Sequence, residues 1–236
     1  MKNWILLLIC LVITSCSKNN FILTGKIIDT IGVDTSKLSI DIAGPYLKEG
    51  KVHSVKLNKN GEYYYKGYIS KESELIFLEL GKNNGKLKNA DLFSNNIAIK
   101  KGSNVQSHSI YLSERFIVER NKNILQWNYE KFKDVKYQIE ISSDMEIING
   151  NLFSKKSYCV VNNILSSMFD LSTLNLIEEM SKINDNMMES NIINKRIYEP
   201  LDPQRKYYLK INAYIWNEQL KIPLKVSESN CIEYII

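Results

Sequence analysis

The chain has 236 residues, with 31 Lys and Arg against 26 Asp and Glu, a formal net charge of +5 and only two His. The basic residues are spread along the sequence, which describes a solvated surface and excludes the clustered footprint that a nucleic acid requires. Ten Gly and four Pro leave no low-complexity stretch, so the folded part should be compact, with room for one large domain or two of roughly 100 residues.

Met1-Lys2-Asn3 precede an apolar run from Trp4 to Ile13, which ends in Thr14-Ser15-Cys16 and then in polar Ser17-Lys18-Asn19-Asn20. This is the three-part plan of a secretory signal over 1–15. The run falls short of the ~20 residues that a bilayer-spanning helix needs, and no comparable run follows it. Ile13-Thr14-Ser15-Cys16 resembles the lipobox of bacterial lipoproteins. The resemblance implies cleavage before Cys16, acylation of Cys16 (palmitate among its chains), and a lipidated tether over 16–20. More than one acyl chain gives stable anchoring, here to a membrane of the cell envelope. Ser17 after the Cys resembles an outer-membrane address, facing either the periplasm or the cell surface. Export implies an oxidising compartment. Cys159 and Cys231 remain once Cys10 is removed and Cys16 is acylated, and they either form a disulfide or sit as separate buried thiols.

From 21 to 112 short alternating segments with turn residues between them predict an antiparallel β-sandwich. Strands are expected at about 21–28, 37–43, 51–58, 62–69, 74–80, 95–100 and 107–113. Leu38, Ile40 and Ile42 share one face of the second, with Ser39 and Asp41 on the other, and Val55 and Leu57 repeat the pattern in the third. Lys59-Asn60-Gly61 predicts a hairpin turn between the third and fourth strands, since Asn and Gly tolerate positive φ. Thr24-Gly25-Lys26-Ile27 and Asn60-Gly61-Glu62-Tyr63-Tyr64 resemble the transthyretin-like or carboxypeptidase-regulatory-like sandwiches that many envelope lipoproteins carry, which implies an immunoglobulin-like or transthyretin-like topology and no particular ligand.

The second half, 113–236, holds Leu125-Gln126-Trp127, then Tyr137-Gln138-Ile139-Glu140-Ile141, then Leu201-Asp202-Pro203 ahead of Tyr207-Tyr208-Leu209. It resembles a fibronectin type III domain. That resemblance implies a Trp127–Tyr137 core contact and a tyrosine corner built from Leu201, Pro203 and Tyr207. Leu209, Ile211 and Ala213 would continue the inward face, and 220–226 would form the last strand. The segment 160–194 is longer than the family's connection. Leu174, Ile177, Met180, Ile183 and Met187 recur at helical spacing there, Ser172 is placed to cap and Glu178 to pair with Lys182, so a helical insertion is expected.

No metal-ligand spacing, Gly-rich phosphate loop or nucleophile elbow occurs, and His53 and His108 lack neighbouring ligands in the sequence. Glu178-Glu179 and Asp144 with Glu146 are the carboxylate pairs a glycosidase could use, but spacings of this kind are ordinary on solvated faces. No cofactor and no catalytic residue is expected. On the strand at 62–69, Tyr63 and Tyr65 face one side while Tyr64 and Tyr68 face the other, an exposed aromatic surface suited to sugar rings or to a protein. Met168, Phe169, Met180, Met187 and Met188 make the 160–194 insertion a second adaptable surface. The reading is of a mainly β, two-sandwich, non-catalytic lipoprotein that binds an envelope protein as an accessory of a surface, secretion or adhesion system. The alternative is a glycan-binding outer-membrane lipoprotein.

Overall fold

The computed structural model describes residues 19–45, 47, 52–81, 87, 89–148, 151–175, 194–197, 201–202 and 204–235, with backbone alone at 143–148, 151–159, 175 and 194–197. The chain divides into two compact units between Ser113 and Glu114. The signal and lipobox residues, Cys16 included, lie outside the described residues.

In the first unit the strands are β1 (Asn20–Asp29), β2 (Ser39–Ala43), β3 (His53–Lys56), β4 (Glu62–Tyr68), β5 (Ser73–Leu80), β6 (Ala90–Phe93), β7 (Asn96–Lys100), β8 (Asn104–Gln106) and β9 (Ile110–Glu114). They form one sheet ordered β4-β1-β9-β6, with β8 also on β1, and a second ordered β3-β2-β5-β7. Strict alternation sends Leu23 and Ile27 of β1, Ile40 and Ile42 of β2, Ile76 and Leu78 of β5, and Ile110 and Leu112 of β9 into one core shared by both sheets. Two sheets facing each other across one apolar layer make a β-sandwich.

One expectation needs correction. The turn at Lys59-Asn60-Gly61 forms, with Gly61 at φ +76° and Asn58 Oδ1 accepting the backbone N–H groups of Asn60 at 2.8 Å and Glu62 at 2.9 Å. It does not close a hairpin. β3 pairs with β2, and β4 crosses to the other sheet, where it pairs with β1 from Asn20↔Tyr68 to Lys26↔Glu62. Turn residues set a local reversal, whereas the strand that takes up the freed edge is chosen by burial of Tyr63 and Phe21 in the common core. The Ile27 N–H donates to the Gly61 carbonyl at 2.8 Å, fastening the turn to β1.

The second unit contains β10 (Val118–Asn121), β11 (Ile124–Trp127), β12 (Lys136–Ile148), β13 (Asn151–Ile164), β14 (Met168–Asp170), β15 (Asn194–Ile197), β16 (Lys206–Asn217), β17 (Ile222–Glu228) and β18 (Ile232–Ile235). A small sheet β10-β11-β14 accompanies a larger one, β15-β13-β12-β16-β17, with β18 also on β16. Leu125 and Trp127 from the first and Tyr137, Ile139, Ile211 and Ala213 from the second are buried. The Trp127 and Tyr137 rings meet edge to face at 5.2 Å and 73°, the geometry that aromatic quadrupoles favour.

The expected helical insertion is also corrected. No α-helix occurs among the described residues, and the described part of 160–194 is the end of β13, then β14, then a short 3-10 turn at Leu171–Asn175. Val160 and Val161 are β-branched and pair with Glu140 and Ile139 of β12, so sheet pairing claims the start of the segment. Asp170 caps the turn in place of Ser172, its Oδ1 accepting the Ser172 N–H at 2.9 Å, while Leu171 and Leu174 enter the core. Ile177, Glu178, Glu179, Met180, Lys182, Ile183, Met187 and Met188 lie outside the described residues.

Candidate functional site

Three neighbouring strands of the first unit expose one face. On β4 the outward residues are Glu62, Tyr64, Lys66 and Tyr68, and on β1 they are Ile22, Thr24 and Lys26; Asn104 and Gln106 serve β8. Register sets them in rows: Tyr64 lies opposite Thr24, which lies opposite Gln106, and Lys66 lies opposite Ile22, which lies opposite Asn104. Tyr64 is 59% exposed and Tyr68 37%. Four residues apart on one strand, their Cα atoms are roughly 13 Å apart. Tyr68 is steadied by Asn19, whose Nδ2 donates to its hydroxyl at 3.1 Å.

The ground beneath this face is closely packed. Tyr63 points inward, and its hydroxyl donates to Ser107 Oγ at 2.8 Å; burial pushes the phenol up to about 12, against the pull of that hydrogen bond. The ring lies over Gly25, its cross-strand partner, where an added Cβ would overlap both Ser107 Oγ and the Tyr63 hydroxyl. Thr24, Tyr64 and Gln106 border an open cleft of about 800 Å³, which Lys26, Lys56 and Glu62 also line. The Glu62 carboxylate accepts Asn58 Nδ2 at 2.7 Å. The face therefore offers an aromatic ring, hydroxyl and amide hydrogen-bonding groups and cations, all at one level.

The other residues singled out from the sequence fall elsewhere. His108 Nε2 is 2.9 Å from the Ser94 carbonyl, and the His53 ring lies 5.4 Å from that of Tyr65. Among the described residues no three His, Cys, Asp or Glu come together as a metal site. Met168 of the second unit is 52% exposed, whereas Met180 and Met187 are outside the described residues, as are the side chains of Asp144 and Glu146. Cys231 is a free thiol, raised chiefly by burial. Register explains why it does not bridge to Cys159: Cys159 pairs with Ile141, Ile141 with Leu209, and Leu209 with Ile232, the residue next to Cys231. Three strand spacings put them roughly 14 Å apart, twice the Cα separation of about 7 Å that a disulfide tolerates.

Sequence reasoning placed Tyr64 and Tyr68 on one side of their strand but missed Thr24, Lys26, Lys66 and Gln106 as their neighbours. Alternation on β1 marks Thr24 and Lys26 as outward, but only the register with β4 brings them beside Tyr64. Gln106 sits on a strand of three residues, too short for a periodic signal.

Comparison with protein-family models and with curated proteins finds no match. Among solved structures the chain is similar to a protein of Bacteroides uniformis described as a "putative carbohydrate binding protein", at 15% identity over 92% of this chain and 99% of that one, with a TM-score of 0.27. It is similar to a DUF3823 family protein of Parabacteroides merdae at 7% identity over 91% and 98%, TM-score 0.28. The major pilin subunit of Bacillus cereus aligns at 9% identity over 91% and 68%, TM-score 0.28. Likenesses this distant leave function to be argued from the residues of the chain itself.

Proposed function

We propose that this protein is a non-catalytic, lipid-anchored binding protein of the cell envelope that takes a carbohydrate on the outward face of β4, β1 and β8. The observation that carries the reading is the placement of Tyr64 and Tyr68 on one exposed surface with hydroxyl and amide side chains in register beside them. The C–H face of a sugar ring packs on a tyrosine ring, and the ring hydroxyls then lie at the level of Thr24 and Gln106. Tyr63, Gly25 and Ser107 pack beneath the strands that present the face. The second unit we read as fibronectin III-like from the Trp127–Tyr137 contact and the Asp202–Tyr207 hydrogen bond. The acylated Cys16, an outer-membrane location and a transthyretin-like first unit complete the proposal, and their support is the sequence resemblance.

The test is calorimetric titration of the mature chain with plant and bacterial oligosaccharides. Micromolar to millimolar binding is expected, weakened at least tenfold by Tyr64→Ala with the melting temperature unchanged. A variant that binds every sugar as well as the parent removes the face from consideration.

A second reading, a protein-binding accessory of a surface or secretion system, is favoured by a different patch. Leu75 and Phe77 of β5 are 46% and 38% exposed on the outside of the other sheet, with Ala98 opposite Leu75 and Ala43 opposite Phe77. Cross-links in intact cells from this strand to one envelope protein, abolished by Phe77→Asp, would favour that reading.

A further inference from the structure

We infer that the Tyr64 face selects acidic saccharides, chains carrying uronic carboxylates; the inference rests on the carbohydrate reading above and goes beyond it in naming the ligand's charge. Tyr64, Lys66 and Tyr68 point outward in succession on β4, so the Lys66 side chain leaves the strand between the two exposed tyrosines, its Cα roughly 7 Å along the strand from each of theirs. The residues across from Lys66 are Ile22 and then Asn104, neither of them an anion. Lys26 sits diagonally across from Tyr64 and directly opposite Glu62. No ion pair joins those two, and the Glu62 carboxylate is instead held by Asn58. Lys56 faces the same cleft, whose lining includes two ammonium groups, those of Lys26 and Lys56, against the one carboxylate of Glu62.

Some surface lysines find partners, Lys37 with Asp34, Lys101 with Glu72, Lys206 with Glu233 and Lys221 with Glu218. Among the described residues Lys26 and Lys66 form no salt bridge, and they flank Tyr64, the most exposed tyrosine among those residues. A neutral sugar leaves that charge unanswered. A uronic acid stacked on Tyr64 sets its carboxylate at the rim of the ring, within reach of Lys66 on one side and Lys26 on the other, while Thr24 and Gln106 meet its hydroxyls. Such attraction is exposed and therefore screened by salt over a Debye length of about 10 Å at 0.1 M.

The experiment titrates the mature chain with tetragalacturonate and with the same oligosaccharide fully methyl-esterified, which keeps the backbone and removes the charge; neutral xylotetraose and cellotetraose serve as controls. The expected result is at least tenfold tighter binding of the acid than of its ester at 50 mM NaCl. That preference should shrink severalfold at 500 mM and disappear in Lys26→Gln/Lys66→Gln, whose melting curve should match the parent because both side chains are exposed. Equal affinity for acid and ester overturns the charge selection and leaves the carbohydrate reading standing, as does binding of the neutral controls alone. Binding of none of these sugars overturns both.

Discussion

The backbone N–H of Asp202 donates to the hydroxyl oxygen of Tyr207 at 2.6 Å, across five residues of chain. Tyr207 has no exposed surface, and its strand β16 runs through the middle of the larger sheet of the second unit. The hydroxyl thus ties the approach of the chain to the first residues of the strand, as a tyrosine corner does.

Tyr207→Phe leaves the ring in place and deprives the Asp202 N–H of its acceptor. A stability loss of about 1 to 3 kcal/mol is expected. Urea unfolding followed by tryptophan fluorescence measures it, and a superimposable curve would mean that water replaces the hydroxyl without cost.

Gly25→Ala tests the platform's support. The added methyl meets Ser107 Oγ and the Tyr63 hydroxyl at distances no side chain occupies, so Tyr63 must move or its hydrogen bond to Ser107 must break. Overpacking of this kind costs about 1 to 3 kcal/mol. Tyr63→Phe/Gly25→Ala should recover only part of the loss, since it removes the hydroxyl and leaves Ser107 Oγ and the ring carbon of residue 63 against the methyl, and thermal melts of the two variants give the comparison.

Glu228 is the charged centre of the second unit. Its Oε1 lies 3.1 Å from Arg115 Nε and its Oε2 3.0 Å from Lys210 Nζ and 2.5 Å from Lys225 Nζ. Burial alone would raise the carboxyl, but Lys225 and Lys210 outweigh it and hold it down at about 2, against an ordinary 4.5. A carboxyl lowered on folding stabilises the folded state above its unfolded value, and that contribution fades as pH falls through the folded one. About 3 kcal/mol should therefore be present above pH 5 and vanish between pH 5 and 2. Glu228→Gln should be less stable than the parent at pH 7 by a similar amount, with the gap closing at pH 2. Urea midpoints across this range check it, and a gap independent of pH would show that the carboxylate's charge contributes nothing.

Cys16→Ala bears on the anchor. The variant should partition into the soluble fraction with the melting temperature of the mature chain, and continued tight association with membranes would count against acylation as the attachment.

Much of the fold could be read from local pattern. Leu38, Ile40 and Ile42 are buried in succession, and Tyr64 and Tyr68 face solvent, because a strand alternates its side chains whatever its partner. Trp127, Tyr137 and Tyr207 stood out as large aromatics in a spaced arrangement, and all three are buried. What misled was also local. Helical spacing in 160–194 gave way at its start to pairing of β13 with β12, and the Asn-Gly turn marked a reversal without naming the strand beyond it.

The sequence by itself determined that the chain is mainly β, where most strands of the first unit run, and which side of each is apolar, since these follow from residue type and a period of two. Tertiary structure alone decided that β4 pairs with β1 and not with β3, that the three residues of β8 complete its face, and that Cys159 and Cys231 lie three strands apart. Those outcomes depend on register between segments tens of residues distant. Register is chosen by the burial of both sheets together, an energy that no single segment contains.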